Sequence, residues 1–146
     1  MRIETDLSIL IPDEYVENIS ERVTLYQQLD NSKTEKDLEA FEKQLTDRFG
    51  EIPEQTKQLV NIVRLRWLAM KRGFEKLILK NGKLIGYFVS NKKSAFYQSE
   101  AFSKTLNFIQ NNQKSCEMKQ GEEKLSIVIG SIKNIVEAME ILNRMK

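Results

Sequence analysis

The sequence predicts an α+β fold, with an N-terminal helical part of three helices followed by two β-hairpins with interspersed helices. Three observations predict it. Apolar residues recur at three- and four-residue steps through the first half, the period changes beyond Gly73, and Asn81-Gly82 divides two strand-like runs. There is no regular βαβ alternation and no repeat at a fixed period, so the order of elements reads as α+β. The 146 residues, 40% hydrophobic and 30% charged, suit one soluble globular domain. A fold of that length buries roughly 70% of the surface its unfolded chain exposes. Residues 1–146 are therefore read as a single domain with two subregions, mainly helical over about 1–73 and mixed hairpin and helix over about 74–146. No Pro/Gly/Ser-rich linker separates them.

Ile3, Thr5, Leu7 and Ile9 alternate with polar residues until Pro12, the pattern of a half-buried strand. Tyr15, Ile19, Arg22, Val23, Tyr26 and Leu29 then fall at helical spacing behind Asp13 and Glu14, which predicts a first helix over about Asp13 to Asp30. Ser32-Lys33-Thr34-Glu35 fits a capping box, with Thr34 the competing N-cap. Leu38, Phe41, Leu45 and Phe49 then share one face of a second helix that stops at Gly50. Pro53 opens a third helix, in which Leu59, Ile62, Val63, Trp67 and Met70 form the apolar stripe up to Gly73. Phe74 to Lys80 and Lys83 to Val89 flank Asn81-Gly82, whose residues tolerate the positive φ of a tight hairpin. Phe96, Phe102, Leu106 and Ile109 predict a helix ending at Asn111-Asn112-Gln113, and Ser115 to Lys119 with Leu125 to Ile129 predict a second hairpin. Ser131 is read as the N-cap of a last amphipathic helix carrying Ile132, Ile135, Val136, Met139 and Leu142.

Composition removes several classes of chemistry. The chain has no histidine and one cysteine, Cys116, which excludes disulfide frameworks, structural zinc, and triads of Ser/His/Asp or Cys/His type. No phosphate-binding glycine motif occurs, and Gly82 and Gly86 lie within a strand-like run, so no cofactor is expected. The carboxylates, among them Glu21, Glu35, Glu39, Glu42, Glu122 and Glu123, are scattered without EF-hand spacing and read as solvated. A net charge of +2, from 23 basic and 21 acidic residues, argues against a general nucleic-acid binder; any such contact must be local. No stretch approaches 18 uninterrupted apolar residues, and Met1 to Asp6 carries both charge signs, so a cytoplasmic location without a membrane contact is expected.

Two stretches carry more information. Ile11-Pro12-Asp13-Glu14-Tyr15-Val16 with Arg22-Val23-Thr24-Leu25-Tyr26-Gln27-Gln28-Leu29 resembles the opening of the C-terminal (TRCF) domain of bacterial transcription-repair coupling factors. Asp47-Arg48-Phe49-Gly50-Glu51-Ile52-Pro53, then Leu65-Arg66, Ala69 and Gly73-Phe74, resembles the next block of that domain. Together they cover about the first 80 residues, and the rest matches in its order of elements. The resemblance implies a large parent, an ATP-driven DNA translocase that displaces stalled RNA polymerase and recruits the damage sensor UvrA in transcription-coupled nucleotide excision repair. It implies that this domain is non-catalytic and regulatory. In the family it resembles a clamp on the UvrA-binding region near the N-terminus of the same polypeptide, released when the motor engages polymerase. A chain that opens at Met1 just before such a domain is then expected to be an excised piece of the parent.

The family motif singles out Asp47-Arg48. Asp47 falls in the last turn of the second helix, where the helix dipole disfavours an anion by a few tenths of a kcal/mol up to about 1 kcal/mol. With Leu45 toward the core, helical spacing puts Gln44 and Arg48 on one flank of the apolar stripe and Asp47 further round, a polar patch suited to an ion-paired docking surface. The competing reading is that Arg48 caps nearby carbonyls and Asp47 is solvated. Gln44 is often acidic in the family. Lys57, Arg64 and Lys71 recur every seven residues near Arg66 and Arg72, and support an alternative role as an accessory nucleic-acid-binding module. A solvated helix face competes with that reading, as it does for Lys92-Lys93. Tyr87, Phe88, Phe96, Tyr97 and Phe102 invite a base-stacking reading, but Tyr87 and Phe88 point to opposite faces of one strand and cannot form one platform. Trp67 and Met70 are expected in the core.

Overall fold

The computed structural model describes residues 1–89, 95–121 and 124–145. The chain divides into two compact units, a helical one of Ser8–Val63 and a mixed one of Met1–Leu7 with Arg64–Lys146.

The helical unit holds α1 (Ile19–Asp30), α2 (Glu35–Phe49) and the first turns of α3 (Glu54–Lys71). α1 starts six residues later than its apolar spacing predicts. Tyr15 and Val16 N–H groups both donate to Pro12 O at 3.1 Å, closing a single turn that is not continued. Asn18 is the N-cap, with φ −77° and ψ 122°, and its side chain accepts from the Glu21 N–H at 3.0 Å. Arg22 reaches back to donate to Val16 O at 2.6 Å and Glu17 O at 3.2 Å, which holds the non-helical approach. The later start rotates the face. Leu25 and Leu29 are buried, whereas Ile19 and Val23 are 69% and 49% exposed.

α2 resolves the choice of cap in favour of Thr34. Its hydroxyl accepts from the Asp37 N–H at 3.2 Å, and the Asp37 carboxylate accepts from the N–H groups of Lys33 at 2.9 Å and Thr34 at 3.2 Å. Those bonds hold the Asp37 carboxyl below the ordinary aspartate range, the Lys33 N–H most of all. Its contribution is therefore present above that range and is lost as pH falls below it. Thr34→Ala should cost about 1 kcal/mol, read as a fall of a few °C in the melting temperature followed by far-ultraviolet circular dichroism. An unchanged transition would show that the cap does not stabilise this helix. Leu38, Phe41 and Leu45 are fully buried, and Gly50, at φ +91°, ends the helix where a side chain would be strained.

The mixed unit is built on a five-stranded sheet in the order β1-β2-β3-β5-β4, from β1 (Arg2–Thr5), β2 (Phe74–Lys80), β3 (Lys83–Phe88), β4 (Cys116–Gln120) and β5 (Leu125–Gly130). β1 pairs parallel with β2 and the other neighbours are antiparallel. Asn81 and Gly82, at φ 55° and 73°, make the tight turn of the expected hairpin. One sheet face carries Leu77, Leu79, Leu84, Phe88, Ile127 and Ile129, all buried. A 3-10 turn at Ala95–Gln98 and α4 (Glu100–Asn111) bring Phe96 and Phe102 against Phe88. Of the aromatic residues that suggested stacking on bases, the half-buried Phe96, Tyr97 and Phe102 thus pack together over the buried Phe88, and Tyr87 lies on the other face. The last helix, α5, runs Ile135–Asn143 with Asn134 as its cap. Ser131, at φ +63°, lacks the extended backbone that an N-cap needs. Met70 is 58% exposed and Trp67 half-buried, so the apolar stripe of α3 continues past the part that packs.

Candidate docking site

Within the helical unit, α1 and α2 are joined by polar side chains. The Arg48 guanidinium donates to a Glu21 carboxylate oxygen. It also lies 4.8 Å from the centre of the Phe49 ring. One turn earlier, the Gln28 amide donates to Gln44 Oε1 at 2.9 Å. Ser20, Glu21, Thr24, Leu25, Gln44 and Arg48 line an open groove of about 220 Å³ between the two helices. Gln44 and Arg48 therefore share one flank, as helical spacing predicts. Arg48 meets a carboxylate on the neighbouring helix, and the carbonyl cap considered as an alternative is not formed.

Asp47 lies further round α2, exposed and without a hydrogen-bond or ion-pair partner among the described residues. It leaves a carboxylate free on the surface beside a half-exposed ion pair. Ile19 and Val23, on the turn of α1 that also carries Ser20 and Glu21, add apolar area to the same helix. Sequence spacing missed Ile19 and Val23 as surface residues. The available signal was Asn18 followed three residues later by Glu21, which moves the helix start and with it the buried face.

Other residues of the family motif are occupied in holding this corner together. The Tyr15 hydroxyl donates to Gly50 O at 2.8 Å and Leu45 O at 3.2 Å, and its ring sits 5.7 Å from that of Phe49. Burial pushes the Tyr15 phenol above its ordinary range. The Tyr26 hydroxyl accepts from the Ile11 N–H at 2.8 Å, and the fully buried Thr56 donates to Leu10 O at 3.0 Å. These tyrosine and threonine contacts anchor the extended approach to α1.

The basic residues at seven-residue spacing on α3 do not fall in one unit. Lys57 is exposed in the helical unit; Arg64, half-buried, and Lys71, exposed, belong to the mixed one. Lys92-Lys93 and Glu122-Glu123 lie outside the described residues. Among the described residues no cluster of three or more carboxylate or thiol groups is placed to hold a metal ion. Cys116 is buried, and burial raises its thiol above the ordinary range. No described helix is long and apolar enough to cross a membrane.

A family model described as the TRCF domain matches residues 5–99. The transcription-repair-coupling factor of Escherichia coli strain K12 is 36% identical over 75 residues, covering 51% of this chain and 6% of that protein. The corresponding protein of Rickettsia typhi is 28% identical over 141 residues, covering 96% of this chain and 12% of the relative. That of Staphylococcus epidermidis is 26% identical over 149 aligned positions, covering 97% and 13%. The chain thus spans about an eighth or less of the length of these relatives. A crystal structure of the C-terminal domain of a transcription-repair coupling factor superposes with a TM-score of 0.75 at 15% identity, covering 99% of this chain and 92% of that one, a likeness of fold.

Proposed function

Because the chain belongs to the TRCF domain family of transcription-repair-coupling factors, we propose that it is a regulatory docking domain of such a factor, with no chemistry of its own. Its partner in this reading is the UvrA-binding region near the N-terminus of the same polypeptide. Docking keeps that region covered until the parent translocase engages RNA polymerase on DNA. UvrA, polymerase and DNA are then met through the parent. The single domain spans residues 1–146 in this reading, and the α1–α2 corner with Gln44, Asp47 and Arg48 carries the contact.

The observation that supports it most is Asp47, an exposed carboxylate without a partner among the described residues, next in the chain to Arg48 of the Glu21–Arg48 pair. A tethered contact of this kind can be weak. With an effective concentration of about 1 mM, a separate-piece Kd of about 10 µM leaves the parent about 99% closed, a bias of about 2.7 kcal/mol.

The test is Asp47→Ala with Arg48→Ala in the full-length parent. The ion pair it removes is half-exposed and contributes at most about 1 kcal/mol, so the isolated chain should melt within a few °C of the unmodified one. UvrA binding by the parent should rise by up to about 100-fold as the closed state is lost. Masking that persists unchanged in the double variant would reject this corner as the docking surface.

A further inference from the structure

The near-neutral total charge conceals a separation. The helical unit carries 12 acidic and 6 basic residues, a net −6, whereas the mixed unit carries 17 basic and 9 acidic, a net +8. Five of these 17 basic residues, Arg2, Lys76, Lys80, Lys83 and Lys119, are on the sheet face opposite the aromatic core, with Glu4 and Glu117 on the same face. Strand register places Ile78, Ile85 and Val128 side by side on that face, all half-buried, as the middle row across β2, β3 and β5. Two residues along in one direction the row reads Arg2, Lys76, Tyr87, Ser126 and Lys119; in the other it reads Lys80 and Lys83. Cations therefore border the aliphatic row on both sides, about 13 Å apart at the strand rise per residue.

These cations are only partly neutralised by the carboxylates of the same face. Glu4 is shared among Arg2 at 3.1 Å, Lys76 at 3.4 Å and Lys80 at 3.9 Å, which leaves that edge in positive excess. Lys83 and Lys119 are exposed and make no ion pair among the described residues. Lys124 lies 5.7 Å from the centre of the Tyr87 ring.

We propose that this open face of the sheet binds a protein segment, an amphipathic helix whose apolar stripe sits on Ile78, Ile85 and Val128 and whose margins carry carboxylates. A helix is about 10–12 Å across with its side chains, which matches the separation of the two basic borders. The aliphatic centre favours this occupant over nucleic acid. Single strands are held on several open aromatic rings, and this face has one, Tyr87, with a lysine over it. The proposal uses no residue of the α1–α2 corner and does not depend on its role.

The experiment uses the 146-residue chain and a labelled 16-residue peptide with leucines on one helical face and glutamates on both margins. A scrambled peptide of the same composition and a 20-nucleotide oligothymidylate complete the set, all read by fluorescence anisotropy at two salt concentrations. The amphipathic peptide should bind at least about tenfold more tightly than the scrambled one. Binding should fall about tenfold in Ile85→Glu and in the surface variant Lys83→Glu with Lys119→Glu, which leaves the core untouched. Equal binding of the scrambled peptide would reduce the face to unspecific charge and overturn the proposal. So would tighter binding of the oligothymidylate, an absence of effect from both variants, or a self-association of the chain abolished by Ile85→Glu.

Discussion

Phe88→Ala is expected to lower the stability of the mixed unit by about 4 kcal/mol, the largest single-residue effect in the chain. Phe88 is fully buried and stacks on Phe74 with ring centres 4.6 Å apart. It also lies 5.9 Å from Phe96 and meets Phe102 edge-on at 5.6 Å. Truncation removes the transfer energy of a whole ring and leaves a cavity that three other rings cannot close, since each is held by its own backbone. Phenylalanine-to-alanine changes in cores cost about 3–5 kcal/mol, and aromatic pairs contribute about 0.5–1.5 kcal/mol beyond their area. The melting temperature should fall by about 10 °C. Phe88→Leu, which keeps most of the volume, should cost about 1.5 kcal/mol or less. A loss below about 2 kcal/mol for the alanine variant would mean that the cluster collapses into the space and is not tightly packed.

The second largest effect is expected from Gly73→Ala, at about 3 kcal/mol, and it is best measured beside Gly82→Ala. Both glycines have positive φ, +85° and +73°, so a β-carbon is strained at either by about 1–2 kcal/mol. Only at Gly73 is the space also taken. A β-carbon there would lie 2.2 Å from the Phe96 ring, whereas none of the surrounding atoms comes within 4 Å at Gly82. Overpacking adds about 1–3 kcal/mol when the neighbour has to move. Chemical denaturation should therefore show Gly73→Ala as the more damaging of the two by about 2 kcal/mol. Equal losses would show that Phe96 swings aside without cost and that backbone strain is the whole effect.

Features that depend on neighbours along the chain were legible in the residues. Asn81-Gly82 needs only its own backbone to make a hairpin, Thr34 and Asp37 cap a helix across three residues, and Gly50 and Gly73 supply positive φ where helices end. The α+β class, the order of elements and the shared flank of Gln44 and Arg48 came from periodicity in the same way. Periodicity misplaced a helix start where local capping competes with it. The apolar spacing from Tyr15 to Leu29 fits one helix, but Pro12, Asn18 and Arg22 hold its first third in an extended approach. That difference turns Ile19 and Val23 from expected core into exposed surface.

What the sequence determined by itself was local: which segments are helix or strand, where they turn, and that histidine- and disulfide-based chemistry is missing. Tertiary structure alone decided which faces meet water and which charges gather. The pairing of β1 with β2 joins residues more than 70 positions apart and puts Arg2 and Glu4 beside Lys76. A net charge of +2 summed along the chain cannot show a separation of −6 and +8 between units whose members are not contiguous. The physical reason is range: torsional preference and hydrophobic period act within a few residues, whereas burial and electrostatic potential depend on every group the fold brings near.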